Sequence, residues 1–136
     1  FPDAHVYHKR RVSLKKFFWQ VNTFGKARLL LNKLHPGSLK LVHTLPALFA
    51  LGNVGLLLLA ILFASLQCEY WWIWLLPIAC YVLAIFTESL IKNKKLSIAF
   101  LSIASSYTQL FGYGLGFIDE FFTHKASRKS QEELYK

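Results

Sequence analysis

The sequence predicts an all-α membrane protein, with an amphipathic interface helix followed by two to three transmembrane helices. Three observations lead to this prediction. The 136 residues are 54% hydrophobic and only 17% charged, whereas a globular domain carries about 25% charged residues. Residues 41–68 contain no lysine, arginine, aspartate or glutamate, and uncharged apolar stretches of about 18 residues or more indicate transmembrane helices. The net charge of +9 is also uneven, because nine of the cations precede that stretch.

Residues 13–40 form the basic segment that is predicted to lie in the membrane interface. Ser13 is a candidate N-cap for a helix from Leu14 to Leu34. Its first half has helical apolar spacing, with cations interleaved, at Leu14, Phe17, Phe18 and Val21. Such a helix lies among anionic lipid headgroups or packs against a neighbouring domain, and the two are compatible. Gly25 predicts a bend or a division into two short helices.

A basic patch with aromatic residues also occurs in nucleic-acid-binding proteins. Beside transmembrane helices the same composition favours membrane lipids, so we expect lipid partners and no nucleic acid. The two cysteines, Cys68 and Cys80, are separated by twelve residues. In a helix this is about 18 Å, beyond the roughly 7 Å that a disulfide tolerates, so both are expected to be packing residues.

The transmembrane region covers residues 41–118, and a polar tail follows at 119–136. Three segments have the length of a span, the last being the weakest: about 45–66, 70–91 and 96–118. In the first of them, Asn53 predicts an interhelical hydrogen bond, while Gly52 and Gly55 predict a close helix contact. In the third, Gly112 and Gly116 are four residues apart and predict a helix interface.

The distribution of lysine and arginine predicts the topology. The N-terminal segment and the turn at 92–95 are basic, so both are expected inside, with the loop at Cys68 outside. Glu88 is expected to form a structural salt bridge with the lysines of that turn. If segment 96–118 crosses, the basic tail lies outside, in mild conflict with the positive-inside rule. If the segment enters and returns, the tail stays inside; crossing is the favoured alternative.

One stretch resembles a known family. VYHKRRVSLKKFFWQ at 6–20, followed by FGKAR at 24–28, resembles the segment that closes the catalytic domain of bacterial membrane-bound family 2 glycosyltransferases. In that family a GT-A domain ends in such a strand and continues through an amphipathic helix into C-terminal spans. The stretches LKLVHTLPAL at 39–48 and GYGLGF at 112–117 also resemble its membrane region. The resemblance implies that residues 1–12 end an α/β catalytic domain that this sequence lacks.

The same resemblance implies transfer of a sugar from a nucleotide-sugar to a lipid-linked or cell-envelope acceptor, at the cytoplasmic face of a bacterial inner membrane. It implies a divalent metal, Mg²⁺ or Mn²⁺, with His8 as a ligand, and diphosphate contacts from Arg10, Arg11 and Arg28. Gln20 matches the family's glutamine near the acceptor channel. The structural alternatives are that His8 simply ends a strand and that the arginines contact lipid phosphates.

The sequence also departs from that family. The D-x-D metal motif, the catalytic aspartate and the nucleotide-binding strands are absent, and Gln20 and Arg28 are eight residues apart instead of forming a compact Q-x-x-R-W element. On this resemblance, the chain as given is expected to be an incomplete glycosyltransferase. The alternative is a non-enzymatic membrane subunit that docks a partner protein through its basic segment. A transporter component is disfavoured, because the spans carry almost no polar lining.

Overall fold

The computed structural model describes residues 13–134, and their side chains through residue 123. Within this range every regular element is a helix, which confirms the all-α prediction for the described residues. The four α-helices are α1 (Leu14–Leu34), α2 (Leu45–Ser65), α3 (Leu76–Asn93) and α4 (Leu96–Leu134). Short 3-10 helices at Leu41–His43 and Trp71–Leu75 precede α2 and α3.

Helix α1 has the predicted boundaries. Ser13 occupies the N-cap position with extended backbone (φ −122°, ψ 127°), although its side chain donates or accepts no capping hydrogen bond. The helix continues through Gly25, so the predicted division into two short helices is wrong. Helix α4 approaches the backbone of α1 at Gly25. This glycine therefore provides space for a contact between the two helices and does not break α1. A turn with Gly37 at φ +85° follows.

Among the described residues, two helical segments are long and apolar enough to cross a membrane, which agrees with the first two of the three predicted spans. They are Leu45–Ser65, with a mean hydropathy of 2.4, and Trp71–Asn93, with a mean hydropathy of 1.8. Pro46 and Pro77 lie in the first turns of α2 and α3, where a missing backbone N–H removes no helical hydrogen bond. The second segment begins as the 3-10 helix at Trp71–Leu75 and becomes α-helical at Leu76.

Helix α4 is 39 residues long, which corresponds to about 58 Å at 1.5 Å per residue. It does not end near residue 118 but continues to Leu134, because no glycine or proline follows Gly116 and most later residues are good helix formers. Among the described residues, α4 is not one of the helices apolar enough to cross a membrane. Whether segment 96–118 crosses stays a prediction.

The other three helices all pack against α4. Helix α1 runs in the same direction as α4, whereas α2 and α3 run against it. On α2 only small or polar residues are buried: Ala47, Ala50, Asn53 and Ala60. Its large apolar side chains are mostly exposed, including Leu48, Leu51, Leu58, Ile61 and Leu62. Such a surface is typical of a helix that faces lipid.

Candidate functional site

Helices α1 and α4 touch through their backbones. A Cβ atom added at Gly25 would lie within 3.0 Å of backbone atoms of Tyr113 and Phe117, and one at Gly116 would meet the backbone of Asn22 at the same range. Gly112 faces the side chain of Val21, whose Cγ2 would be 2.5 Å from an added Cβ. The helix interface predicted at Gly112 and Gly116 is therefore confirmed, and its partner is α1. We call this contact the α1–α4 seam.

Polar groups continue the α1–α4 seam. Asn22 is buried, and its Nδ2 donates a hydrogen bond of 3.1 Å to the carbonyl oxygen of Gly112. One turn further along α1, the Lys26 Nζ lies 2.5 Å from an Asp119 carboxylate oxygen. The hydrogen bond to that carboxylate is the main reason why the pKa of Lys26 is raised above its usual value. The seam thus runs from a buried amide to an exposed ion pair.

Helix α1 has two apolar faces. The face that carries Phe17, Phe18 and Val21 packs towards α4 and is buried or half-buried. The opposite face is also rich in apolar side chains, which are exposed, and lysines lie beside it. These exposed residues are Trp19, Phe24, Leu30, Leu31 and Leu34, with Lys15 and Lys33 exposed nearby. Within the described residues, the second face is covered by no other helix.

Of the predicted ligand residues, His8, Arg10 and Arg11 lie outside the described residues. Arg28 is half-buried, and its Nη2 donates a 2.7 Å hydrogen bond to the carbonyl oxygen of Ser38. Its Nε is buried and has no hydrogen-bond partner. The guanidinium of Arg28 therefore binds the loop between α1 and α2. Gln20, the last of the predicted residues, is half-exposed on α1.

The cation of Arg28 also acts on His43. The pKa of His43 is lowered, first by burial and then by the positive charges of Arg28 and Lys40. At the entrance to α2, its Nδ1 accepts a 2.8 Å hydrogen bond from the backbone N–H of Lys40. No cluster of three or more potential metal ligands occurs among the described residues, and Cys68 and Cys80 are both free thiols.

Asn53 joins α2 to α4, as predicted. The Tyr107 hydroxyl donates to its Oδ1 at 3.4 Å, while its Nδ2 donates to the carbonyl oxygen of Phe49 at 2.9 Å. The predicted close contact at Gly52 and Gly55 is wrong, because a Cβ at either position would have nothing within 4 Å. These glycines do not face α4. The close approach occurs instead at Gly114, where an added Cβ would lie 2.5 Å from the carbonyl oxygen of Pro46.

Helices α3 and α4 meet through hydroxyl groups and leave a cleft between them. Tyr81 Oη and Ser106 Oγ are 2.5 Å apart, and Ser89 Oγ and Ser102 Oγ are 2.8 Å apart. The Lys92 Nζ lies 2.6 Å from Glu88 Oε1, which confirms the predicted salt bridge. This cleft was not predicted from the sequence, although the serines and glutamine between 102 and 109 are a signal for it.

Comparison with known protein families, curated proteins and solved structures finds no match to this chain. Any functional assignment therefore depends on the chain's own residues and contacts. Two features stand out. The α1–α4 seam fixes the basic N-terminal segment against the membrane helices, and the cleft between α3 and α4 offers polar groups in an otherwise apolar surface.

Proposed function

We propose that the chain is the membrane-anchoring C-terminal part of a family 2 glycosyltransferase, which moves a sugar from a nucleotide-sugar to a lipid-linked or cell-envelope acceptor. The observation that carries this proposal is the α1–α4 seam. Residues 1–12 lead directly into a helix whose backbone is fixed on α4 beside Pro46, at the start of the first candidate span. The resemblance of residues 6–28 to the segment that closes the catalytic domain of that family supports the same assignment.

The seam suits this task for a physical reason. A catalytic domain that acts on a membrane-bound acceptor must be held at a fixed height above the bilayer, because misplacement by about 1 Å can cost about 10² in rate. Long side chains in an interface allow helices to shift, whereas backbone contact at Gly25 and Gly116 restricts such movement. On this proposal α1 is a positioning element and takes no part in the chemistry.

The exposed face of α1 supports a location in the membrane interface. Trp19 and Phe24 are among its most exposed apolar residues, and tryptophan favours the headgroup level. The neighbouring lysines, Lys15 and Lys33, suit anionic lipid headgroups. On this proposal α4 occupies one face of α1 and lipid the other, while contact of α1 with a neighbouring catalytic domain stays a prediction.

The packing of α4 bears on topology. Gly114 lies against Pro46, and Asp119 pairs with Lys26, so this part of α4 lies beside α1 and the start of α2. Helix α4 is continuous from Leu96 to Leu134 and so does not turn back within the membrane; we propose that its C-terminal end lies on the same side of the membrane as α1. The basic tail then shares the cytoplasmic side of the bacterial inner membrane with the N-terminal segment, in agreement with the positive-inside rule.

The ligand residues fit this proposal unequally. His8 would be one ligand of Mg²⁺ or Mn²⁺, an ion that neutralises charge on the leaving diphosphate when bound, while Arg10 and Arg11 would pair with phosphate oxygens. The described residues supply no metal cluster of their own, so the remaining ligands would come from the catalytic domain. Arg28 fits less well, since its guanidinium already holds the carbonyl of Ser38. Gln20 would face the acceptor.

The test is sugar transfer by the full-length protein in membranes. Wild-type protein should move a labelled sugar from a nucleotide-sugar into the lipid or envelope fraction, and His8→Ala should lower kcat per folded molecule by about 10² while changing KM less. His5→Ala is the matched control and should transfer normally. Absence of transfer with every common nucleotide-sugar would refute the assignment, whereas equal turnover of both variants would remove only His8 from the site.

The alternative, a non-enzymatic subunit that docks a partner protein through its basic segment, makes a different prediction. Its upstream sequence would contain no D-x-D motif, and replacing Arg10 and Arg11 would release a bound protein without affecting any transfer. A D-x-D motif upstream of residue 1 decides for the enzyme.

Topology is tested separately with an impermeant thiol reagent, after Cys80 is replaced by serine. In intact spheroplasts Cys68 should react from the outside. A cysteine introduced as Ser127→Cys, with Cys68 also replaced, should react only after lysis. Labelling of Ser127→Cys in intact spheroplasts would instead mean that segment 96–118 crosses.

A further inference from the structure

The junction between α1 and α2 carries a cation that no carboxylate of the described residues neutralises. Arg28 is half-buried and lies one turn beyond Gly25, on the face of α1 that meets α4. Residues 13–68 contain no aspartate or glutamate, and neither salt bridge in the described part of the chain includes Arg28. Removing a charge from water without a counter-ion is costly. The junction therefore favours an anion from outside the described residues.

The hydrogen bonds of Arg28 are incomplete as well. Its Nη2 donates to the carbonyl oxygen of Ser38 at 2.7 Å, whereas its Nε and the Ser38 Oγ are buried without a partner. Among the described residues, these are the only two buried side-chain nitrogen or oxygen atoms that lack one. Such atoms cost free energy, and an anion on the guanidinium would offset part of that cost. The third nitrogen, Nη1, makes no hydrogen bond within the described residues and is not buried, so a ligand can reach it.

Two further side chains with donor groups lie at the same junction. His43 is half-buried, and its Nδ1 accepts the hydrogen bond from the backbone N–H of Lys40, which leaves Nε2 to donate. After burial, the positive charges of Arg28 and Lys40 are what lowers the pKa of His43, so both cations lie near its imidazole. A guanidinium, an ammonium group and an imidazole N–H together suit the oxygens of a phosphate group.

Apolar side chains flank these donors. Leu41 and Val42 lie between Lys40 and His43 in the sequence and are 79% and 58% exposed. Leu45, which begins the first candidate span, is exposed as well. Large apolar side chains gain free energy when they leave water, and at a membrane surface they insert at the boundary of headgroups and acyl chains. A phosphate that is attached to a lipid therefore suits both the donors and the apolar residues, whereas free phosphate suits only the donors.

We propose that Arg28, Lys40 and His43 bind the phosphate group of a membrane lipid, whose acyl chains lie along the exposed apolar side chains of residues 41–45. The three groups are close enough for one phosphate. Arg28 is hydrogen-bonded to Ser38, two residues before Lys40, and the backbone of Lys40 is hydrogen-bonded to His43. Of the two ligands considered for Arg28, a nucleotide diphosphate and a lipid phosphate, this site takes the second. Binding needs no nucleotide-sugar, so the inference is independent of the proposed glycosyl transfer.

The test measures lipid retention by native mass spectrometry on the full chain in detergent, with phosphatidylglycerol as the probe and diacylglycerol, which lacks the phosphate, as the reference. Wild-type protein should retain one phosphatidylglycerol more tightly than diacylglycerol. Arg28→Gln should weaken that retention about tenfold, as expected for one lost charge-assisted hydrogen bond. Lys40→Gln changes an exposed side chain and should weaken it about threefold, as expected for an exposed ion pair.

Lys95→Gln is the matched control, because it removes one charge from an exposed position far from the site. Gly25 packs against Tyr113, which is 18 residues along α4 from Lys95, or about 27 Å of helix. This variant should retain phosphatidylglycerol as the wild type does. Circular dichroism of each variant in the same detergent establishes that a loss of binding is not a loss of fold. If Arg28→Gln does not fold, Lys40→Gln decides.

Four results would overturn the proposal. Equal retention of phosphatidylglycerol and diacylglycerol would show that the phosphate is not recognised, and equal retention by Lys40→Gln and Lys95→Gln would show that the charge at the junction is not used. Displacement of the lipid by millimolar inorganic phosphate would assign the site to free phosphate. Displacement by uridine or guanosine diphosphate, but not by inorganic phosphate, would assign Arg28 to a nucleotide site, which is the outcome that favours the diphosphate role implied by the family resemblance.

Discussion

Helix α4 makes two kinds of contact along its length. At Gly116 it meets the backbone of α1, and at Gly112 the side chain of Val21, with no space for even a methyl group at either position. Towards its N-terminus it meets α3 through pairs of serine and tyrosine hydroxyls and leaves a cleft of about 400 Å³. The first contact resists any change in geometry, whereas the second has room for a ligand. A close-packed contact and an open cleft thus lie at different positions along a single helix.

The two contacts also differ in what stabilises them. At the α1–α4 seam, close backbone approach increases dispersion contacts between atoms of both helices. Between α3 and α4 the pairs are side-chain hydrogen bonds, which contribute only about 0.6 kcal/mol each on average in a membrane. We therefore expect substitutions in the seam to destabilise the protein more than substitutions in the α3–α4 contact.

The largest effect is expected from Gly116→Ala. The added Cβ would meet the backbone of Asn22, which cannot rotate away, so the helices must separate at a cost of about 1–3 kcal/mol. Gly52→Ala is the matched control, because its Cβ would lie in open space and alanine gains up to about 1 kcal/mol of helix propensity. In detergent, the Tm of Gly116→Ala should fall below that of the wild type, whereas the Tm of Gly52→Ala should not. Equal Tm values for the two variants would mean that the seam is not close-packed.

The same pair of glycine sites shows what the sequence can and cannot predict. The boundaries of α1 and the start of α2 follow from local signals, such as Ser13 at the N-cap and Pro46 in the first turn, so they were predicted well. The role of a glycine depends on which face of its helix meets a neighbour. Gly52 and Gly116 are chemically identical, and only tertiary packing separates the exposed one from the one in contact.

The candidate sites were predictable to a smaller extent. Asn53 and Glu88 were assigned correctly, because a polar group in an apolar helix needs a partner and few are within reach. Arg28 was assigned from a resemblance, and its hydrogen bond to Ser38 depends on a loop conformation that no local pattern predicts. The cleft was missed because it is formed by two helices together. Serines that are unremarkable on α4 alone become a polar surface when Ser89 faces them.

A smaller effect is expected from Asn22→Ala. Its amide is buried and donates to the carbonyl oxygen of Gly112, so removal deletes one hydrogen bond and leaves a buried acceptor, at a cost of about 1–2 kcal/mol. Thr23→Ala is the control: Thr23 is exposed and bonds only within α1, to Trp19, so the change should stay within about 0.5 kcal/mol. If both variants unfold at the wild-type temperature, Asn22 does not hold the seam together.

The α3–α4 contact should be more tolerant still. Ser89→Ala removes the 2.8 Å bond to Ser102 and the 3.3 Å bond that Ser89 Oγ accepts from Asn93 Nδ2, and should cost about 0.6 kcal/mol per bond. A double-mutant cycle with Ser102→Ala isolates this pair, because Ser102 also donates to the carbonyl oxygen of Ile98 and its single variant loses both bonds. A coupling energy as large as the cost of Gly116→Ala would contradict the division of α4 into a rigid and a tolerant half.

The smallest effect is expected from Lys26→Gln at the exposed end of the α1–α4 seam. The pair with Asp119 is open to solvent, with side chains 39% and 59% exposed, so water and salt weaken it. Its pH dependence has a definite sign, because the hydrogen bond to Asp119 raises the pKa of Lys26 from 10.5. A group whose pKa is higher in the folded state stabilises that state fully below its unfolded pKa, and this contribution disappears as the pH rises through the folded value. The Tm difference between wild type and Lys26→Gln should therefore be constant near neutral pH, shrink at strongly alkaline pH and shrink in high salt, whereas the exposed control Lys33→Gln should show none of these changes. A difference that survives both treatments would show that Lys26 acts through the packing of its aliphatic stem and not through its charge.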